Sequence, residues 1–568
     1  AAMKNRAFLK SREFMINVGA AFWGNSSGTL AGLAGFGRAI LQLELPTSDN
    51  KAMSSPTCSI VIATLNAKYI HASLGLRYLL ANMDVHGGAG LKAQSLLREF
   101  VIAQPPLLIA EQLLALEPKI IGLGVYIWNV VQTTQVVQLL KALRPDISIV
   151  LGGPEVSFET ESQEICRLAD HVITGWGDVS FPKLCRALLD GPQPLMKVIA
   201  GEQPALSAIT LPYDEYTSED LANRLLYVEA SRGCPFKCEF CLSSFDKTAW
   251  AFDLDVFMAE LDTLHQRGAR NFKFVDRTFN LKVDFSARIL QFFLDRMSPD
   301  LFIHFEVVPD SLHDRLKELI AQFPAGSLQF EVGIQSFNPE VQQRISRRQD
   351  NLKTADNLRW LVTQSRAHVH ADLIFGLPGE TLESFAAGFD KLYELNPHEI
   401  QFGILKRLRG APIARHTQEH GLKFNPDPPY NILATDVIDF ATMQRLSRFS
   451  RYWDIIANSG RYARTLPLLL ADNAFVNFLA FSDWLYEKTD KTHAIAHERM
   501  VQFIFDYLSN VRGLEKEKLA EDVIADYRAV GGRTHFEFEA PGLRPLPRPQ
   551  KAAGGTPSRQ ARHLLGNA

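Results

Sequence analysis

Short apolar runs alternate with amphipathic helical patterns along most of this chain. In the first part, the apolar runs predict strands with helices between them, at 59–65, 100–102, 119–126, 147–151 and 171–174. Strands that alternate with helices form parallel, doubly wound sheets. Ligands of such sheets bind at the carboxyl ends of the strands, so functional residues are expected there.

A second alternation predicts six further strands. These strands are expected at 225–228, 271–275, 302–307, 328–333, 368–375 and 399–405. Six strand–helix units favour a partial (βα)6 barrel, and the carboxyl edge of barrel strands is the catalytic face. Beyond residue 411 the pattern becomes helical, and amphipathic helices are predicted to about residue 530. The fold class is therefore α/β with an α-helical C-terminal domain.

These patterns divide the chain into six segments. We expect a disordered or non-native extension over 1–55, a Rossmann-like domain over 56–195, a linker over 196–222, the barrel core over 223–415, the helical domain over 416–535 and a disordered basic tail over 536–568. Met53 lies just before the first clear strand, which favours it as the true start. The tail is rich in arginine and proline, a composition that cannot bury a core.

Composition narrows the class of protein. Of the 568 residues, 46% are hydrophobic and 22% are charged, as in ordinary globular proteins. The net charge of −3 argues against a protein built mainly to bind nucleic acid or acidic membranes. No run of 18 apolar residues predicts a membrane span. Six cysteines in this length favour a reducing compartment, so the cytoplasm is expected.

Three cysteines carry the clearest chemical signal. Cys234, Cys238 and Cys241 have the spacing C-x3-C-x2-C and follow the strand predicted at 225–228. Cysteine thiolates are the usual ligands of iron–sulfur clusters, and three ligands on a four-iron cluster leave one iron open. A zinc site normally has a fourth Cys or His at a short spacing. The spacing thus indicates an iron–sulfur site, with zinc and chance spacing as alternatives.

The run Cys-Pro-Phe-Lys-Cys-Glu-Phe-Cys at 234–241 resembles the signature of the radical S-adenosylmethionine (SAM) superfamily. This resemblance implies that the three cysteines bind a 4Fe-4S cluster whose open iron chelates SAM. Reduction of the cluster would cleave SAM to a 5′-deoxyadenosyl radical. Phe240, the aromatic residue before the last cysteine, is typical of the signature and is expected at the cofactor site.

The same resemblance implies roles for residues at the predicted strand ends. Asp276 and Arg277 are expected near SAM or the substrate, and Tyr430 at the barrel mouth. Further cofactor contacts are expected from Glu306, Glu331, Gln335, Gly376, Pro378 and Leu405. A carboxylate at a strand end can instead cap the next helix, and a glycine–proline segment can be only a turn.

The first domain resembles the cobalamin-binding domain that precedes many radical SAM cores. The loops at 66–71, 125–129 and 151–157 carry the likeness, which implies cobalamin contacts from Asn66, His71, Gly124, Tyr126, Gly152, Gly153, Gly175 and Gly177. The alternative is that the glycines are only tight strand–helix turns. The D-x-H-x-x-G motif is missing, so a histidine lower ligand to cobalt is expected to be absent.

Together these resemblances imply a cobalamin-dependent radical SAM methyltransferase. It would methylate an unactivated carbon of an unknown small-molecule or peptide substrate through methylcobalamin, with an external reductant such as flavodoxin or ferredoxin. The helical C-terminal segment resembles the uncharacterised domain of one subgroup of these proteins. The alternatives are an oxidative cyclase or rearrangement enzyme without methyl transfer, and a non-catalytic sensor that binds SAM or cobalamin.

Overall fold

The first predicted alternation folds into a six-stranded parallel sheet. The computed structural model describes residues 58–246, 248–539, 559–560 and 562–563; the expected extension over 1–55 lies outside the described residues. The strands, in the order β2-β1-β3-β4-β5-β6, are β1 (Ile60–Asn66), β2 (Ser95–Val101), β3 (Ile120–Gly124), β4 (Ser148–Gly152), β5 (His171–Thr174) and β6 (Val198–Ala200).

The two edge strands of this sheet differ from the prediction. β2 begins well before residue 100, and β6 falls in the segment expected as a linker. β2 is mostly half-buried and β6 is mostly exposed, because each has a neighbour on one side only. Charged residues interrupt the apolar residues of β2, and β6 is apolar but only three residues long, so neither edge strand gives the long apolar run that marks β1.

Helices cover both faces of the first sheet. Val61, Ala63 and Leu65 of β1 pack into one apolar cluster, whereas Ile60 and Ile62 pack into a second. Successive side chains of a strand point to opposite faces, so the two clusters lie on opposite sides of the sheet. The covering helices are Leu74–Ala81, Met83–Gly87, Pro106–Leu114, Val130–Leu143, Glu164–Leu168 and Ser180–Asp190.

The second alternation also forms six parallel strands, as predicted. They follow the chain order, and in the described residues the two edge strands do not pair, which leaves an open barrel. The strands are β7 (Leu226–Val228), β10 (Asn271–Phe274), β11 (Phe302–Val307), β12 (Leu328–Gln335), β13 (His368–Phe375) and β14 (Glu399–Ile404). A short antiparallel pair, β8 (Ser231–Gly233) and β9 (Ala249–Ala251), flanks the cysteines.

Helices surround this second sheet and form the C-terminal region. Those of the core are Leu254–Gln266, Val283–Asp295, Asp314–Ile320, Pro339–Arg344, Asn351–Gln364 and Leu382–Glu394. After a small hairpin of β15 (Lys423–Phe424) and β16 (Ile432–Ala434), the helices are Phe440–Ile456, Thr465–Leu470, Ala474–Thr489, His497–Asp506 and Lys516–Ala529. No described helix has the length and apolar character that a membrane span requires.

Part of the expected basic tail is ordered. The described residues 559–560 and 562–563 are helical. Arg559 lies 3.0 Å from the carboxylate of Glu399 and 2.7 Å from that of Asp454. Arg562 donates to the carbonyl of Ser459. These four residues are therefore helical, and partners distant in sequence hold Arg559 and Arg562; the other tail residues after 539 lie outside the described residues.

A buried ion network joins the first sheet to the segment that leads into β7. Arg77 lies 2.9 Å from Glu99 on β2 and 2.8 Å from Asp220 on the connecting helix Ser218–Asn223. Arg224 reaches the same two carboxylates at 2.6 and 3.0 Å. Burial raises the pKa of Glu99, but Arg77 and hydrogen bonds outweigh burial and hold the pKa below its usual value.

We expect Glu99→Gln to lower the free energy of unfolding by about 3–5 kcal/mol, because it leaves two buried guanidinium groups short of negative charge. Urea denaturation followed by circular dichroism measures this change. Glu202→Gln is the control, because Glu202 forms an exposed pair with Lys183 and its loss should cost about 0–1 kcal/mol. Equal effects of the two substitutions would contradict a stabilising role for the network.

Candidate functional site

The cysteines lie on a loop directly after β7 and β8. Gly233 precedes the first of them with φ +88°, and a Cβ there would lie 2.3 Å from the carbonyl oxygen of Thr248. Only glycine fits this close approach of β8 and β9. Cys238 is buried, whereas Cys234 and Cys241 are half-buried. The chain thus presents three thiols at the carboxyl edge of the second sheet, where the sequence predicted them.

A cavity of about 230 Å³ opens beside these thiols. It brings together most of the residues predicted for the core, namely Cys234, Cys238, Cys241, Phe240, Arg277, Glu306, Glu331 and Gln335. Arg347 and Asp372 also line it, and sequence reasoning missed both. Their contacts with the other lining residues arise only in the folded chain, so no short motif could have identified them.

The donor set of this cavity fits an iron–sulfur cluster. Three thiols from one loop line it, thiolates are the usual ligands of such clusters, and three of them leave one iron of a four-iron cluster open. Its lining, among the residues that the structure describes, includes neither a fourth cysteine nor a histidine to complete the usual tetrahedral zinc site.

The pKa values of two acidic groups in this cavity are shifted in opposite directions. Glu331 lies 3.1 Å from His304 and 3.5 Å from Lys273. Burial raises its pKa, but these two neighbours outweigh burial and hold the pKa well below the usual value. Burial and the charges of Glu331 and Glu306 raise the pKa of Asp372 well above its usual value. The surroundings thus favour the ionised form of Glu331, a hydrogen-bond acceptor, and disfavour ionisation of Asp372.

Arginine side chains provide the positive charge of the cavity, since Arg277, Arg347 and Arg348 all line it. The guanidinium of Arg277 pairs with the carboxylate of Glu306 at 2.8 Å, and not with the carboxylate of its chain neighbour Asp276. A guanidinium nitrogen of Arg347 lies 3.7 Å from the sulfur of Cys238, and another donates to the carbonyl of Gly333. Burial raises the pKa of the Cys238 thiol, and the guanidinium of Arg347 opposes this rise, which supports ligation by the thiolate.

A second cavity, of about 330 Å³, lies at the carboxyl edge of the first sheet. Six of the residues predicted to contact cobalamin line it: Gly124, Tyr126, Gly152, Gly153, Gly175 and Gly177. No atom lies within 4 Å of a Cβ built at Gly175, and the nearest to one at Gly152 is 3.9 Å away. Side chains at these positions would project into open space, so bare backbone here fits a bulky cofactor.

Asn66 and His71 lie outside the lining of this second cavity. The Asn66 amide donates to the carbonyl of His71 and to Glu99, at 2.8 and 2.9 Å. The His71 ring nitrogen Nδ1 lies 2.8 Å from the hydroxyl of Tyr227. Asn66 therefore holds the first loop against β2, and His71 joins that loop to β7 of the core; neither lines the cavity.

Arg232 connects the two cavities and was also missed by sequence reasoning. It lines the second cavity together with Asp178 and Glu229, and it precedes Cys234 by two residues. Its guanidinium lies 2.9 Å from a carboxylate oxygen of each of these acids. The ring centroids of three aromatic residues lie within 6 Å of it, those of Tyr78, Trp176 and Phe252.

Two other predicted residues, Asp276 and Leu405, line other cavities. Asp276 is buried and accepts hydrogen bonds from Ser231 Oγ at 2.6 Å and from the Ala230 amide at 3.0 Å. It lines a separate cavity of about 190 Å³. Leu405 and Phe240 line another, of about 380 Å³. Asp276 thus fixes the start of the cysteine loop.

Tyr430 and the glycine–proline segment do not line the cysteine cavity. The Tyr430 hydroxyl donates to Glu155 at 2.6 Å, which links the first domain to the hairpin. Gly376 has φ +83°, and a Cβ there would lie 2.6 Å from the side chain of Ile432. The carbonyl of Pro378 accepts from Arg344 at 2.7 Å. These contacts fit the turn that was the alternative interpretation of this segment.

Comparison with known families matches three segments of the chain. Residues 228–392 match the radical SAM superfamily, and residues 60–185 match the B12 binding domain. Residues 418–536 match a protein of unknown function family, DUF4080. The two cavities lie within the first two matched segments and the loops that adjoin them.

Two curated relatives match the chain over about half of its length. The chain is 27% identical over 336 residues to the uncharacterized methyltransferase PH0819 of Pyrococcus horikoshii. This match covers 54% of this chain and 70% of that protein. It is 24% identical to the cobalamin-dependent radical SAM methyltransferase TokK of Streptomyces tokunonensis, over 55% of this chain and 51% of TokK. The chain thus spans about half of TokK.

A solved structure of the radical S-adenosylmethionine methyltransferase TsrM from Kitasatospora setae, with cobalamin and a [4Fe-4S] cluster bound, shares the fold. The TM-score is 0.52, with 16% sequence identity. The match covers 66% of this chain and 81% of TsrM. At this identity the likeness supports the architecture alone.

We expect Gly153→Ala to destabilise the first domain and Gly152→Ala to be tolerated. Gly153 has φ +112°, and its Cβ would lie 2.5 Å from the carbonyl oxygen of Val125. Such strain costs about 1–3 kcal/mol, whereas the change at Gly152 should stay within about 0.5 kcal/mol. Urea denaturation compares the two variants, and equal stability would show that this part of the cavity wall does not require glycine.

Asp276 should make stability depend on pH. Burial raises its pKa to about 7, against the hydrogen bonds from Ser231 and Ala230. The folded protein therefore keeps a proton that the unfolded chain releases above about pH 4, so this contribution to stability falls as pH rises to about 7. We expect Asp276→Asn to reduce that slope, measured as urea midpoints at several pH values. An unchanged slope would contradict the raised pKa.

The site thus combines two cavities of different chemistry. One has three thiols, three arginines and carboxyl groups whose pKa values are shifted in opposite directions, while the other has a wall of bare backbone. The cysteine cavity lies in the segment that matches the radical SAM superfamily, which implies a 4Fe-4S cluster and SAM. The other cavity lies mainly in the segment that matches the B12 binding domain, which implies cobalamin. The chain is therefore a radical SAM enzyme with a B12-binding domain and a DUF4080 C-terminal domain, and its cofactors are a 4Fe-4S cluster, SAM and cobalamin.

Proposed function

We propose that this enzyme transfers a methyl group to an unactivated carbon of a small-molecule or peptide substrate. The observation that carries the proposal is that one short segment, residues 229–241, supplies lining residues to both cavities. The cofactors of the two matched domains would then meet across a short distance. Relatives named as methyltransferases support the choice of methyl transfer.

Within this proposal the three cysteines hold the cluster, and Arg347 stabilises the thiolate of Cys238. Glu331, held ionised by His304 and Lys273, accepts hydrogen bonds from SAM. The glycine wall around Gly152 accepts cobalamin. When bound, the cluster and SAM supply a carbon-centred radical, and cobalamin supplies the methyl group.

The proposed radical chemistry also requires that water be kept from the reacting groups, and apolar side chains in both cavities can do this. Phe236 and Phe240 line the cysteine cavity, and Leu79 and Phe181 line the other. Apolar walls keep water from reactive species, which prevents side reactions.

Arg277 is half-exposed and holds Glu306 at 2.8 Å, so it is our candidate for binding an anionic group of the substrate.

A cytoplasmic location and an external reductant complete the proposal. All six cysteines are described and free, as expected in a reducing compartment. The cluster requires an electron from outside the chain, for which a flavodoxin or ferredoxin is the proposed donor.

The decisive products can be measured without the natural substrate. Reconstituted protein with SAM and a strong reductant should release S-adenosylhomocysteine, about one per bound cobalamin, together with 5′-deoxyadenosine. The variant with Ala at Cys234, Cys238 and Cys241 is the control and should release no 5′-deoxyadenosine. 5′-Deoxyadenosine alone would favour a cyclase or rearrangement enzyme, and neither product would favour a sensor; both results contradict methyl transfer.

A further inference from the structure

We propose that His416, Glu419 and His420 form a binding site for one divalent transition-metal ion, most suited to Zn²⁺. Their ligand atoms all lie within 4.8 Å of one another. Two imidazoles and a carboxylate are a common donor set for zinc, which binds at about 2.0–2.2 Å and completes its shell with water or another carboxylate. The site is distinct from the cysteines and is independent of the proposed function.

His420 gives the strongest sign that a ligand belongs here. It is 9% exposed, yet neither of its ring nitrogens makes a hydrogen bond. Buried polar atoms are nearly always paired, so an unpaired buried imidazole needs an explanation. Its Nδ1 lies 3.5 Å from Asp436, and its Nε2 lies 3.9 Å from Glu419. A metal ion bound between these groups would satisfy the ring.

His416 is oriented as metal-ligating histidines usually are. Its Nε2 lies 2.8 Å from the carboxylate of Glu239, which is buried. The contacts that the structure describes for this ring, with Glu239 and Arg415, both fall on Nε2, so Nδ1 is the nitrogen left for a metal. Carboxylate–histidine–metal arrangements of this kind fix the ring and strengthen the ligand. Arg415 pairs with Glu239 as well, and its Nε lies 3.4 Å from His416 Nε2.

The backbone brings the two histidines to one side of a single turn. His416 ends the short helix Pro412–His416, and the amide of His420 donates to the carbonyl of His416 at 3.0 Å. The two ring centroids are 5.9 Å apart. Asp436 is fixed nearby, because its amide donates to the carbonyl of His420 at 2.9 Å. The donors therefore converge through local geometry and not through chance contact of distant loops.

The position of Glu239 suggests what the ion would do. Glu239 lies between Cys238 and Phe240, and its carbonyl accepts from the amide of Ile413 at 2.9 Å. An ion on His416 would thus fasten the segment after β14 to the cysteine loop through His416 and Glu239. Glu419 is 76% exposed, so the site keeps a route to solvent. We assign the ion a structural role in holding the cysteine loop.

Metal analysis of the full-length protein tests this assignment. After incubation with Zn²⁺ and desalting, the wild type should retain about one zinc per chain. The triple Ala variant of Cys234, Cys238 and Cys241 should lose its iron but keep this zinc. His420→Gln should lose the zinc and keep the iron. His493→Gln, at an exposed histidine, is the matched control and should keep both metals.

A second variant, Glu419→Gln, provides the test if His420→Gln fails to fold. Glu419 is exposed, so its loss should not affect folding. It should weaken zinc binding at least tenfold, measured by competition with a chelator, while circular dichroism stays unchanged. The proposal fails if folded wild-type protein retains no zinc above the level of a metal-free control. It also fails if zinc is lost with the cysteines, or if both the His420 and Glu419 variants bind zinc like the wild type. None of these outcomes depends on methyl transfer.

Discussion

The buried charge of Arg232 is the constraint on which the two-cavity arrangement depends. Its guanidinium is enclosed by aromatic rings and paired with Asp178 of the first domain and Glu229 of the core. A buried cation is costly unless its partners are in place, so the loop that follows can occupy few positions. That loop carries the cysteines. The pairing therefore fixes the cysteine cavity relative to the glycine wall of the first sheet.

The two cavities then divide the chemistry between them. The cysteine cavity concentrates charge, with arginines beside the thiols and one carboxylate held ionised by His304 and Lys273. The other cavity is built from backbone at strand ends, where glycines leave room for a large planar cofactor. Charge suits a reducible cluster and the polar groups of SAM, while bare backbone suits a bulky ring system. A shared segment, residues 229–241, keeps the two environments adjacent.

Most of the fold and the ligand-facing backbone followed from local sequence patterns. Apolar positions predicted both sheets, because inner strands bury side chains: β1 is a nearly continuous apolar run, and β13 has buried apolar residues in alternation. The edge strands give a weaker signal, because charged residues interrupt β2 and β6 is only three residues long. Glycines at strand ends were found because the requirement for glycine is local. Arg232, Arg347 and the His416–Glu239 contact were missed, because they join residues 54, 109 and 177 positions apart.

Iron and cobalt content after anaerobic reconstitution tests most directly whether the two cofactors occupy separate cavities. The wild type should hold about four irons and one cobalt per chain, and the triple Ala variant of the cysteines should lose iron but keep cobalt. Gly152→Leu fills open space in the glycine wall, so it should lose cobalt but keep iron. Cobalt lost together with the cysteines, or cobalt retained by Gly152→Leu at the wild-type level, would contradict the account.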